Sequence, residues 1–192
     1  MKILVACEYS GKVRQAFTEK GHSAISCDLL PTEQVGQHYQ GNVLEIIDMH
    51  WDMIVAFPPC TYLSKAGVRW LHSRPERWGK LDTAAYFFKA ILDADCNKIC
   101  VENPIMHRYA LERVGKKYTQ IVHPWMFGHT YTKATCLWLK GLPILKASDC
   151  VKEETFLLPK KKRQMIKFGT TDPKKRSLTP QGLADAMADQ WG

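Results

Sequence analysis

The chain reads as short apolar runs separated by segments of helical periodicity. Lys2–Ala6, Ser23–Cys27, Met53–Phe57 and Lys98–Val101 are dominated by apolar side chains over four or five positions, the mark of strands buried on both faces. Val13, Ala16 and Phe17 share one face of a helix over Val13–Lys20, and Gly21 supplies its stop. Ala84, Phe87, Phe88, Ile91 and Leu92 make the same pattern within Leu81–Asp95, while Leu44–Ile47 reads as a half-turn or short strand. Strands alternating with helices predict βαβ units and a parallel sheet, an α/β Rossmann-like fold with helices on both faces. Beyond residue 104 the pattern changes. Ile121–Phe127 and Thr135–Leu139 predict two further strands, and Leu178-Thr179-Pro180 opens a last helix over Gln181–Gln190. Residues 146–176 are polar, basic and without periodicity, which predicts a basic loop within a single domain spanning 1–192.

Charge adds one feature. The formal net charge is +8. Residues 159–176 hold eight Lys/Arg against Asp172, which is +7 of that total. Such an excess favours a polyanionic partner such as nucleic acid. Arg69, Arg74, Arg77 and Lys80 form a second basic stretch, and Trp70, Trp78, Trp125 and Trp138 are candidates for stacking on unpaired bases. Seven cysteines without framework or CxxC spacing, and seven scattered histidines, argue against a disulfide scaffold and against a metal site. No apolar run reaches 18 residues, so a reduced, cytoplasmic protein with no membrane partner is expected.

The candidate chemistry lies where strands end. Pro58-Pro59-Cys60 follows the Met53–Phe57 strand. It places a thiol at the carboxyl edge of a parallel sheet, where α/β proteins bind their ligands. A thiolate is a strong nucleophile once its pKa is lowered, and two prolines stiffen the approach to it. Glu102-Asn103-Pro104 ends a later strand, and a carboxyl group there suits acid assistance to a ring nitrogen. Glu8-Tyr9-Ser10-Gly11 precedes the first helix and would present backbone N–H groups to an anion. Asp28, after the second strand, is placed to accept ribose hydroxyls. A single glycine makes no dinucleotide fingerprint, so Gly11 and Asp28 read equally as ordinary βα-turn residues.

In this order the motifs resemble the cytosine-5 DNA methyltransferase family, above all its small phage-encoded members. Pro59-Cys60 with Ser64, and then Glu102-Asn103, resemble the family's nucleophile and acid motifs. Gly41-Asn42-Val43 is similar to the Gly-Asp-Ile segment that touches the adenine of the methyl donor. Thr132-Lys133-Ala134-Thr135 stands where the family has Gln-x-Arg-x-Arg, and the Leu183–Trp191 helix stands in place of its C-terminal motif. Glu-x-Ser-Gly at residues 8–11 and Thr-Cys-Leu-Trp-Leu at 135–139 are similar to the phage members.

The resemblance covers essentially the whole chain. It implies a Rossmann-like, S-adenosylmethionine-dependent methyltransferase, in the host cytoplasm if phage-encoded. Cys60 would add to C6 of a cytosine in DNA, Glu102 would engage N3, and Lys133 would steady either group. In a duplex the target base would have to be flipped out. Donor contacts are implied at Glu8, Ser10, Gly11, Asp28, Asn42 and Pro58. Nucleic-acid contacts are implied at Ser64 and along Lys160, Lys161, Lys162, Arg163, Lys174, Lys175 and Arg176. The chain also departs from the family. Asn42 replaces an aspartate, Thr61 the glutamine after the nucleophile, and Lys133 an arginine, which removes a forked donor. The stretch between Leu142 and Ser177 is too short for a full target-recognition domain. Duplex DNA, single-stranded nucleic acid and a free cytosine nucleotide therefore stay open as substrates, as does a non-catalytic nucleic-acid-binding role.

Overall fold

The computed structural model describes residues 1–163 and 178–192. Its described strands are β1 (Lys2–Ala6), β2 (Ser23–Asp28), β3 (His38–Gln40), β4 (Met53–Ala56), β5 (Ile99–Pro104), β6 (Gln120–Val122) and β7 (Thr135–Lys140). They form one sheet in the order β3-β2-β1-β4-β5-β7-β6. The first five run parallel, whereas β7 is antiparallel to both β5 and β6. The helices are α1 (Lys12–Glu19), α2 (Glu76–Leu92), α3 (Arg108–Val114), α4 (Lys152–Leu157) and α5 (Gln181–Trp191). The α/β, Rossmann-like expectation is met.

The period of two along each central strand divides the core into two layers. Leu4 and Ala6 of β1, Ile54 and Ala56 of β4, and Ile99 and Val101 of β5 face the layer that holds Leu81, Phe88 and Ile91 of α2 and Ala110 of α3. Ile3 and Val5, Met53 and Val55, and Cys100 face the other, which holds Phe17 of α1 and Leu183, Met187 and Trp191 of α5. Each fully buried Leu, Ile or Phe stabilises the fold by about 1.5–3 kcal/mol relative to exposure.

Several elements differ from their sequence-based expectations. α2 begins at Glu76 rather than Leu81: its first turn is half-buried only at Arg77 and Trp78 and carries no apolar period that would mark it in the sequence. The strand expected over Ile121–Phe127 is only Gln120–Val122. Pro124 lacks the N–H a ladder needs, and the chain turns into a 3-10 helix over Pro124–Met126. Val43–Glu45 is likewise a 3-10 helix, capped by Asn42. The expected loop over 146–176 contains α4, and residues 160–163 are helical. Trp138 is core and no stacking platform: it is 2% exposed, edge-on to Phe88 at 5.0 Å, and donates from Nε1 to the Lys116 carbonyl.

Candidate active site

β1 ends in a sharp bend at Cys7, whose φ is +57°. The following Glu8 is 4% exposed and turns its carboxylate onto the start of α1. Oε1 accepts from the Val13 amide at 2.7 Å and the Ser10 hydroxyl at 3.1 Å, and Oε2 accepts from the Arg14 amide at 3.2 Å. An ion that helix N-termini ordinarily attract is thus supplied by the chain itself. Burial raises the Glu8 pKa, and the three hydrogen bonds and nearby Arg14 oppose that rise. Gly11, at φ +73°, is the N-cap residue; a Cβ there would meet Nη2 of Arg14 at 2.6 Å. Arg14 is 1% exposed and donates to the carbonyls of Gln34, Val35 and Gln37. It fixes the β2–β3 connection to α1.

Beside this turn, at the carboxyl ends of β1, β2 and β4, lies a cavity of about 300 Å³. Cys7, Cys27, Asp28, Gly41, Asn42 and Pro59 line it, with the apolar Leu29, Val43 and Phe87. Asp28 and Asn42, separated in sequence, meet here. Oδ1 of Asp28 accepts from the Leu30 amide at 2.9 Å, and Oδ1 of Asn42 accepts from the Leu44 amide at 3.1 Å. Glu8, Ser10 and Gly11 shape the adjoining turn and are not in the lining; of the two prolines it is Pro59, not Pro58, that reaches it.

Pro58 serves a different contact. Its carbonyl accepts from Nδ2 of the fully buried Asn103 at 3.0 Å, which ties the turn before Cys60 to the end of β5. The Cys60 carbonyl accepts from the amides of Leu63 and Ser64 at 3.1 and 2.9 Å. The same turn is tied to the chain after β5 by Lys65 N–H to Ile105 O and His107 N–H to Leu63 O, at 3.2 and 3.1 Å. Cys60 is partly exposed. By contrast, burial raises the pKa of Cys7 and Cys100 far up, and pushes Cys27 and Cys136 to about 11. Those four stay protonated near neutral pH.

Glu102 and Lys133 come together in a separate small cleft, which His123, Thr135, Thr179 and Leu183 help to line. Its free volume is about 10 Å³, room for one water. The ion pairs among the described residues are Lys20–Asp189, Arg113–Asp82 and Lys116–Asp93, so Glu102 and Lys133 share the cleft without pairing. His123 and Thr179 carry no motif that would join them to this site, Thr179 being marked only as part of a helix start, whereas Thr135 closes the Thr132–Thr135 segment that holds Lys133. The three arrive from the β6 corner, the entry to α5 and the start of β7.

Ser64 precedes a 3-10 helix over Lys65–Trp70 and bridges to Met106 through its backbone. Lys160, Lys161 and Lys162 are exposed. The Arg163 carbonyl accepts from the Thr132 amide at 3.2 Å, which anchors this basic segment beside Lys133. Lys174, Lys175 and Arg176 lie outside the described residues. In the second basic stretch the cations rest on rings: Arg69 and Arg74 over Trp70 at 4.6 and 4.7 Å, and Arg77 and Lys80 over Tyr62 at 4.7 and 5.9 Å.

His107 makes the Cys60 turn sensitive to acid. Nδ1 accepts from the Ala110 amide at 3.2 Å, so Nε2 carries the proton and donates to the Tyr62 carbonyl at 2.9 Å. Burial first, and Arg113 second, lower its pKa below the ordinary 6.5, while the Tyr62 contact works against them. His22 and His123 shift the same way, again mainly by burial. Between the folded pKa values and 6.5 the unfolded chain binds more protons, so stability rises with pH there. Full stability is expected above about pH 6.5, declining as pH falls through the folded values. Thermal melts from pH 8 to pH 5 check this, and His107→Gln is expected to flatten the slope.

The strand order, with β7 inserted antiparallel between β5 and β6, completes a Rossmann-like α/β sheet. No family model and no curated protein matches the chain. Among solved structures it is similar to a protein described as a candidate DNA modification methyltransferase encoded within an E. coli prophage. That similarity is at 17% identity and a TM-score of 0.49, over 82% of this chain and 55% of the other. It is also similar to WbdD in complex with a kinase inhibitor, at 8% identity and a TM-score of 0.39, over 74% and 36% of the two chains. The chain therefore spans about half the length of the first of these proteins, 55%. Among the described residues no helix is long and apolar enough to cross a membrane, and no group of three or more His, Cys, Asp or Glu could hold a metal ion.

Proposed function

We propose that the protein methylates C5 of cytosine in DNA, with S-adenosylmethionine as donor and Cys60 as nucleophile. The observation that carries this reading is the Asn103–Pro58 hydrogen bond. It joins the Cys60 turn to the strand that bears Glu102, next to a cavity that suits a nucleoside.

The residues around that cavity fit the donor. Its volume of about 300 Å³ lies at the low end for small-molecule sites, and its walls are largely apolar with few polar groups. Asp28 would hold the ribose hydroxyls through the carboxylate oxygen that Leu30 does not use, and Leu29, Val43 and Phe87 would flank the adenine. Asn42, occupied in capping the turn, would contribute position more than a charge. Glu8, Ser10 and Gly11 would act by shaping the turn beside the donor. When bound, S-adenosylmethionine supplies an electrophilic methyl group. Cys60 would add as thiolate to C6 while Glu102 engages N3, which makes C5 nucleophilic. Lys133 would balance the charge on Glu102 from across the cleft. Lys160 to Arg163 would hold phosphates with little sequence information.

A second reading keeps this chemistry but places it on unpaired nucleic acid. The cations held over Tyr62 and Trp70 favour it, because basic side chains interleaved with aromatic rings suit single strands.

The test is trapping on a 5-fluorocytosine oligonucleotide, in duplex and single-stranded form, with S-adenosylmethionine present. A denaturant-stable adduct with the wild type is expected, and absence of any adduct with both substrates overturns the reading. Calorimetry should show S-adenosylmethionine binding that Asp28→Ala weakens by about tenfold or more, the range for losing a hydrogen bond to a charged group.

A further inference from the structure

We propose that His123 is the general base that takes the proton from C5 at the end of the reaction. This rests on the cytosine reading above. After methyl transfer C5 is tetrahedral and carries both CH3 and H. For product to leave, the C5–H bond must break and its electron pair must form the C5–C6 double bond. As that double bond forms the C6–S bond breaks, its pair returning to Cys60 as thiolate, and the proton passes to a base.

The layout of the site says from which side that base must act. The donor cavity is walled by Cys27 and Val43 of the α2 layer, with Cys7 and Phe87 packed against that layer. The cleft of Glu102 and Lys133 is walled by Val122 and Leu183 of the opposite layer. The two hollows therefore lie on opposite faces of the sheet along its carboxyl edge. A methyl group delivered from the cavity side pushes the C5 hydrogen towards the cleft side.

Of the side chains lining that cleft, Glu102 is committed to N3, the Lys133 ammonium has no lone pair, and the hydroxyls of Thr135 and Thr179 are weak bases. His123 has the right chemistry. Its ring is stacked on Trp125 at 5.3 Å and 14°, with Lys152 over the same tryptophan, so its plane is fixed. Burial also keeps the imidazole neutral near pH 7. The free volume, about that of one water, allows transfer directly or through a single water.

Fluorine and tritium at C5 separate this step from the earlier ones. A 5-fluorocytosine oligonucleotide reports everything up to elimination, and tritium release from [5-3H]cytosine DNA in the presence of S-adenosylmethionine reports elimination itself. His123→Gln and His123→Asn, each checked for a native thermal melt, should form the fluorocytosine adduct within about threefold of wild type. Their tritium release should fall by about 10²–10⁴-fold, the range for a lost general base. Adduct formation together with wild-type tritium release overturns the role of His123. So does loss of both signals in a variant that melts normally, because His123 would then act before elimination. If the wild type forms no adduct, the cytosine reading itself has failed, a result distinct from either.

Discussion

Cys60→Ser is expected to lower methyl transfer by about 10⁴-fold or more, in the range seen when a covalent nucleophile is removed. At neutral pH a thiol is a few per cent ionised and intrinsically nucleophilic, whereas a serine hydroxyl needs a general base at hydrogen-bond distance. The substitution should leave the turn intact. The Cys60 carbonyl, which the substitution keeps, accepts from Leu63 and Ser64, and the turn is held from outside by Asn103 and Lys65. Donor binding, measured by calorimetry, should be unchanged while product formation, measured by transfer of labelled methyl, disappears. Turnover within tenfold of wild type would mean that the thiol is not the nucleophile.

Glu102→Gln is expected to lower the rate by about 10²–10⁴-fold with little effect on stability. The amide matches the carboxylate in shape but cannot deliver or accept a proton at N3. Glu102 pairs with Leu137 through the β5–β7 backbone ladder, which the substitution does not touch. Single-turnover methylation, read beside the thermal melt, checks this. A slow variant with a native melt supports the acid role, and a variant as fast as wild type removes it.

Much of the sheet could be read from the chain, because β1, β2, β4, β5 and β7 are apolar runs that must be buried. β3 could not. His38-Tyr39-Gln40 is polar and lies at the sheet edge, partly or fully exposed, so no periodicity marks it. α3 carries its signals at its ends, with His107 as a capping side chain and Gly115 in the left-handed conformation, while its short body is weakly patterned. Within the site, Asp28 was marked by its place after the apolar β2 run, whereas Asn42 was marked only by the likeness of Gly41-Asn42-Val43 to a donor-contact segment, since β3 before it carries no pattern. Arg14 was not, since its partners are carbonyl groups some twenty residues on and no side chain betrays them. His123 and Thr179 were hidden for a related reason: only the antiparallel return of β7 and the docking of α5 bring them beside Glu102.

That antiparallel return also governs when the molecule becomes competent. Until β7 enters the sheet, β5 is an unpaired edge whose Ile99-Cys100-Val101 run offers bare backbone groups and apolar surface. β7 joins both layers at once, with Leu137 on one side and Cys136 and Trp138 on the other. A pairing of this sequence separation is slow to close. During refolding, recovery of helical signal should therefore run ahead of recovery of activity, by an interval set by the arrival of β7.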